Sequence, residues 1–167
     1  LGTGSGAIIV SLLAKCPQAT GVAVDLSAPA LAVAAENAKI NGVAARATFL
    51  QGDLFAPLSP QDRFDAIASN PPYIPAADVD ALAPEVQTEP RLALDGGRDG
   101  LDYYRRLAAL APNYIKPGGL LALEIGIGQQ ETVPALLVAA GWSVQPVRRD
   151  YGGVPRVVLA VWGGDET

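Results

Sequence analysis

Asn70-Pro71-Pro72-Tyr73 follows the apolar run Phe64-Asp65-Ala66-Ile67-Ala68-Ser69, which places the tetrapeptide where a buried strand would end. Two prolines can neither continue a strand nor enter a helix interior. The chain must therefore leave the sheet abruptly, with an amide side chain on one flank of a rigid turn and an aromatic ring on the other. In open α/β sheets, ligands bind beyond the carboxyl ends of the strands. Such a turn suits recognition of a planar amino group. Asn70 offers a side-chain carbonyl, Pro71 a backbone carbonyl with no N–H of its own, and Tyr73 a flat face. Two acceptors converging on an NH2 hold it and direct its nitrogen lone pair at an electrophile. An isolated Asn-Pro pair also suits an ordinary turn, so the assignment depends on the rest of the chain.

A second cluster stands at the start. Leu1-Gly2-Thr3-Gly4-Ser5-Gly6 precedes the apolar, helix-like run Ala7-Ile8-Ile9-Val10-Ser11-Leu12-Leu13-Ala14-Lys15. Glycines permit positive φ and let a ligand touch the backbone, and the helix that follows presents its unbonded N–H groups. Gly2-x-Gly4-x-x-Ala7 also fits a nicotinamide-dinucleotide fingerprint, and a tight strand-to-helix turn that needs glycine only for packing would look the same. Gly21-Val22-Ala23-Val24-Asp25 reads as a buried strand ending in a carboxylate, about twenty residues beyond the loop, the spacing that sets an acid beside a ribose. Ala47-Thr48-Phe49-Leu50-Gln51 reads as the next strand, closed by Gly52-Asp53-Leu54-Phe55. There Asp53 could take an adenine amino group while Leu54 packs on the ring; a structural turn would look the same.

Composition narrows the chemistry. The 167 residues are 50% apolar, which fits one compact domain. Apolar runs break well before the ~18 residues a membrane span needs, so the expectation is a soluble, cytoplasmic protein with no membrane partner. Histidine is absent, which removes Ser-His-Asp triads, His-ligated zinc and the usual general base, and no metal site is expected. The formal charge of −5 argues against a broad phosphate-gripping surface and direct nucleic-acid binding. Cys16 is the single cysteine, which excludes an intrachain disulfide and suggests a small core residue. Because the chain opens directly on a glycine loop without methionine, it reads as a fragment whose upstream strand, and a further domain, lie outside it.

The remaining elements must position these clusters. Ser27 is expected to cap a helix with Pro29 in its first turn and Asn41-Gly42 as its stop. Residues 74–100, rich in Pro, Asp, Ala and Gly, read as a substrate-side loop. A helix is expected over 101–114 with Leu107 and Leu110 inward and Arg105 and Arg106 solvated. Lys116-Pro117-Gly118-Gly119 reads as a turn into a strand at Leu120-Leu121-Ala122-Leu123-Glu124-Ile125. A helix over 130–140 and strands over 142–147 and 156–162 follow. The connection between those two strands leaves no room for a helix, so they should be antiparallel neighbours.

This α/β alternation, with an adenosine-type pocket early and an amino-group site after it, resembles the Rossmann-like fold of class I S-adenosylmethionine-dependent methyltransferases. That fold implies strand order 3-2-1-4-5-7-6 with a terminal antiparallel hairpin, the first strand being the one missing before Leu1. The glycine loop, Asn70-Pro71-Pro72-Tyr73, Glu89-Pro90, Asp95-Gly96-Gly97, Asp99-Gly100-Leu101 and Asp150 followed by Arg156-Val157-Val158 resemble the HemK/PrmC family across nearly the whole chain. These enzymes methylate the side-chain nitrogen of the glutamine in the Gly-Gly-Gln motif of peptide-chain release factors. The resemblance implies S-adenosyl-L-methionine as cofactor and release factors as partners. It assigns cofactor contacts to Gly2, Thr3, Gly4, Ser5, Gly6, Asp25, Asp53, Leu54 and Asn70. Substrate contacts fall to Asn70, Pro71, Pro72, Tyr73 and Glu89, with Asn70, Pro71 and Tyr73 at the reacting amide. The chain departs from the family in lacking the N-terminal helical docking domain and the acidic residue ahead of Leu1, and in carrying Leu54 where some members have an aromatic ring.

The chemistry implied is direct methyl transfer, in which the cofactor is already electrophilic and the protein aligns and desolvates the nitrogen. An N6-adenine or other amino-group nucleic-acid methyltransferase presents the same planar NH2 and is the nearest alternative. A nicotinamide-dependent oxidoreductase or a noncatalytic adenosine-binding module would need the glycine loop but not Asn70 to Tyr73.

Overall fold

The computed structural model describes residues 1–88 and 90–163, and the chain groups into two compact units, Leu1–Ser59 and Pro60 onward. In the first unit, α1 (Ala7–Lys15) leads to β1 (Gly21–Asp25), α2 (Ala28–Ile40) and β2 (Ala47–Gln51). The two strands pair in parallel, Gly21 opposite Ala47 and Asp25 opposite Gln51, so both end at the same edge. Ser27 caps α2 through Oγ, which accepts from the Ala30 N–H at 3.2 Å, and Pro29 sits in the first turn as expected. Gly42, at φ +69°, follows the helix. Val10, Leu13, Ala38 and Val43 form the core of this unit, with Ile9 and Phe49 against them. The Arg46 guanidinium donates to the carbonyls of Leu13, Cys16 and Ala19 at 2.7, 3.0 and 2.8 Å, satisfying the end of α1 and the turn beyond it. Cys16 is exposed there, not in the core as its apolar neighbours suggested, because the helix stops at Lys15 and Pro17 turns the chain outward.

The second unit holds β3 (Phe64–Ser69), the four-residue α3 (Pro84–Gln87), α4 (Asp102–Leu110), β4 (Ile115–Glu124), α5 (Thr132–Ala139), β5 (Trp142–Val144), β6 (Arg148–Arg149) and β7 (Pro155–Trp162). Its sheet runs β3-β4-β7-β5, with β3 and β4 parallel and β7 antiparallel to β4, β5 and β6. The β2-β1 pair and this order are the 3-2 and 4-5-7-6 segments of the expected arrangement, and the terminal antiparallel pairing is present. Buried residues alternate along the strands: Leu121 and Leu123 face Ala160 and Val158 in register, all fully covered. Tyr104, Leu107, Ala108 and Ala111 form the buried stripe of the helix expected at 101–114. Leu110 lies off that stripe and is 39% exposed, contrary to expectation. Arg105 is exposed, as expected, and pairs there with Asp99 and Asp102. Lys116 to Gly119 form an irregularity inside β4 rather than a turn before it. The partner of Phe64 is Ile115 while that of Ala66 is Leu120, so the extra residues bulge at the one place where Pro117 is tolerated.

Candidate functional site

Both clusters identified in the sequence take ordered shapes, each within its own unit. In the first, the Thr3 N–H donates to the Val24 carbonyl at 3.0 Å, hanging the glycine loop from β1. Asp25, at the end of that strand, accepts from the Gly4 N–H through Oδ2 at 2.8 Å and from the Ser27 N–H through Oδ1 at 2.9 Å. The Asp25 carbonyl accepts from the Gly52 N–H at 3.0 Å, which brings the start of the Gly52-Asp53-Leu54 turn to the same strand edge. Thr3, Gly4, Asp25 and Gly52 are thus joined through β1, and half-buried Asp53 follows directly.

The glycines of the loop do different work. Gly6, the residue before α1, has φ +81°, and a Cβ there would stand 2.9 Å from the Ala34 Cβ of α2, so it is needed for helix packing. Gly2 and Gly4, at φ +61° and +53°, would place a Cβ within 4 Å of nothing. Their backbone faces open space, as a loop that a ligand approaches must. Ser5 is exposed, and its carbonyl accepts from Asn37 Nδ2 at 2.9 Å. No side chain caps the first turn of α1 and no acid lies in it, so its N–H groups remain available to an anionic group. Each Asp25 oxygen has one backbone donor and capacity for another, which fits a ribose diol. Leu54 is buried and has φ +50°, a conformation uncommon outside glycine; its side chain presents little surface to a ring.

In the second unit, the chain leaves β3 at the buried Ser69 and exposes Asn70. Among the described residues, the Asn70 side chain has no hydrogen-bond partner. Pro71 is buried, while Pro72 and Tyr73 are half-buried. The loop that follows closes on itself: the Ile74 N–H donates to the Leu94 carbonyl at 3.1 Å, the Gly96 N–H to the Ile74 carbonyl at 2.8 Å and the Ala76 N–H to the Gly97 carbonyl at 2.8 Å. Two further side chains hold it, Arg91 on Asp80 at 2.6 Å and Arg105 on Asp99 at 2.5 Å. The Arg105 guanidinium holds Asp99 below the usual carboxylate range, chiefly through its hydrogen bond. Glu89 lies outside the described residues.

The glycines of this loop press against the turn. A Cβ on Gly96 would lie 2.8 Å from the Pro72 carbonyl oxygen, and one on Gly126, just past β4, 2.8 Å from Tyr73 Cδ2. One on Gly100 would collide with the Tyr73 carbonyl oxygen. Tyr104 lies beneath, fully buried, donating its hydroxyl to the Glu124 carbonyl at 2.9 Å. Burial first, then Tyr73 and Glu124, push its phenol above the usual range, so it remains protonated and is no base. An open groove of about 620 Å³ runs alongside, lined among others by Tyr73, Asp78, Asp99, Ile127, Gln129 and Arg156. Gln129, Gly126 and Tyr104 are absent from the sequence reading. The available signal was Gly126-x-Gly128-Gln129 at a strand exit, a polar side chain where strand tips carry function.

The methyltransferase small domain family model matches residues 1–97. The chain belongs to that family. It is 50% identical over 159 residues to the release factor glutamine methyltransferase of Geobacter sulfurreducens, covering 95% of this chain and 55% of the relative. It is 52% identical over 160 residues to the enzyme of that name from Moorella thermoacetica, covering 95% and 56%. The chain therefore spans about half the length of these curated relatives. The crystal structure of a methyltransferase from Pyrococcus furiosus superimposes with a TM-score of 0.71 at 18% identity, covering 98% of this chain and 72% of that one. The fold is that of the class I S-adenosylmethionine-dependent methyltransferases.

Proposed function

We propose that this chain is the catalytic portion of an enzyme that methylates the glutamine side-chain nitrogen in the Gly-Gly-Gln motif of peptide-chain release factors. The observation that carries the reading is the turn after β3. It presents an exposed Asn70 side chain beside Pro71, and Pro72 and Tyr73 are fixed by loops whose glycines admit no side chain. Near-half identity to enzymes of that name over 95% of the chain supports it. S-adenosylmethionine, when bound, supplies a methyl group on a positively charged sulfur. The residues that would hold it are the glycine loop, Asp25 and Asp53.

An amide nitrogen is a weak nucleophile because its lone pair is delocalised into the carbonyl. Asn70 Oδ1 and the Pro71 carbonyl accept its two N–H hydrogens, which fixes the NH2 and favours a less planar nitrogen. Tyr73 lies against the amide plane, and its ring excludes water from that side. The proton lost after transfer passes to water, so no imidazole is required. Release factors work at the ribosome, which places the activity in the cytoplasm, and no helix among the described residues is long and apolar enough to cross a membrane. The net charge of −5 favours a protein over a nucleic-acid substrate.

The test is transfer of labelled methyl from S-adenosylmethionine to a release factor by the full-length protein, with RNA and DNA in parallel. Label on the release-factor glutamine is expected. Label confined to nucleic acid would replace this reading with the amino-group nucleic-acid alternative.

A further inference from the structure

We infer that Gln129 is the positioning residue that sets the amino-group site, an inference that rests on the methyltransferase reading above. Its Nε2 donates to the Tyr73 carbonyl at 3.1 Å and to the Gly100 carbonyl at 3.2 Å, while its Oε1 accepts from the Gly126 N–H at 2.9 Å. One primary amide thus serves three backbone groups on three separate segments: the turn after β3, the loop before α4 and the turn after β4. Two carbonyls and one N–H meeting at a point require a side chain with two donors and an acceptor and no charge. Glutamine supplies that set. Glutamate would turn a carboxylate oxygen toward two carbonyls, and lysine would leave the Gly126 N–H without its acceptor.

The same three segments carry Gly100 and Gly126, whose missing side chains leave room for Tyr73. The glycines allow the close approach, and Gln129 sets its distance and angle. Gln129 is half-buried and borders the groove shared with Tyr73, so it acts through the turn and not by contact with the reacting nitrogen. Its effect therefore belongs to the alignment step. Misplacing a reacting group by an ångström costs roughly 10²-fold in rate while leaving binding of a cofactor seated elsewhere little changed.

The experiment uses the full-length protein with Gln129→Ala and Gln129→Glu, labelled S-adenosylmethionine and a release factor. Expected is a kcat lowered by about 10- to 100-fold in both variants, with KM for the release factor and calorimetric affinity for S-adenosylmethionine each within about 3-fold of the parent. The pH profile separates positioning from mere structural support. Gln129→Glu should regain activity relative to Gln129→Ala as pH falls from 8 toward 5, because a protonated carboxyl recovers an O–H donor for the carbonyls; the parent has no such rise. Hydrogen exchange on the same variants should show faster exchange at residues 70–74, 99–101 and 126, with the rest unchanged.

Parent-like kcat in Gln129→Ala, a loss that follows only the unfolded fraction, or unchanged exchange in those segments would overturn the inference. If the parent itself transfers no methyl to the release factor, the functional reading fails instead, and the exchange data still decide whether Gln129 ties the three segments.

Discussion

At the scale of the residue, Asn70 and Asp25 carry opposite duties. Asn70 is exposed with its side chain unengaged among the described residues, so its oxygen can turn wholly toward a substrate NH2. An acceptor that orients a reacting group acts mainly on the transition state. Asn70→Ala in the full-length enzyme should therefore lower kcat for release-factor methylation by about 10²-fold, or ~3 kcal/mol, by analogy with removal of an oxyanion-hole donor. Calorimetric affinity for S-adenosylmethionine should change far less. Tyr73→Phe should be milder, because the proposed contact is made by the ring face; near-normal turnover in Asn70→Ala with loss in Tyr73→Phe would reverse the assigned roles. Asp25 instead ties the glycine loop to β1 through Gly4 and Ser27. Asp25→Ala should abolish measurable cofactor binding, since it removes both the proposed ribose acceptor and the loop's anchor; retained affinity would show that the loop holds itself.

At the scale of the element, the glycine loop divides into a packing residue, Gly6, and an open-faced part at Gly2 and Gly4, and two substitutions separate them. Gly6→Ala places a methyl group against Ala34 in a left-handed conformation and should cost about 1–3 kcal/mol in urea unfolding. Gly2→Ala meets no atom and should cost less stability, yet it should weaken S-adenosylmethionine binding in calorimetry, because its Cβ enters the open face. Equal effects of the two on both readouts would contradict the division. The sequence made β1, β2, β3 and the capped α2 legible because local signals agreed there: short apolar runs, Ser27 with Pro29, and Asn41-Gly42. It failed where a long-range partner decides. Pro117 and its glycines look like a turn, but β3 draws them into β4 as a bulge. Leu110 reads as core until the stripe set by Tyr104 excludes it. Gln129 gave only the signal of a polar residue at a strand exit, since two of its partners, Tyr73 and Gly100, lie on chain segments that meet it only in the fold.

At the scale of the whole molecule, several acidic and basic side chains among the described residues stand in local pairs. Lys116 meets Asp65 at 2.7 Å, Arg105 meets Asp99 and Asp102, and Arg156 meets Asp150 at 3.5 Å. The consequence is an acid-sensitive charge network. Lys116 holds Asp65, and Arg105 holds Asp99, below the ordinary aspartate value of 3.8; Asp150 is lowered first by the Val154 N–H, then by Gly152 and Arg156. A carboxylate whose folded pKa is depressed contributes stability that is fully present above its unfolded pKa and is lost as pH falls through the folded value. The chain has no histidine to titrate between pH 5 and 8. Asp99→Asn, which removes the charge facing Arg105 while keeping its shape, should therefore melt below the parent by a constant margin from pH 8 to 5. That margin should shrink as pH drops below about 4, where the carboxylate protonates first in the unfolded chain, and be lost once the folded carboxylate protonates at lower pH. Thermal melts of both proteins across pH 2 to 8 would decide it. A margin unchanged down to pH 2 would mean that the ion pair contributes nothing and that the loop beside Tyr73 is held by its backbone hydrogen bonds and glycine packing alone.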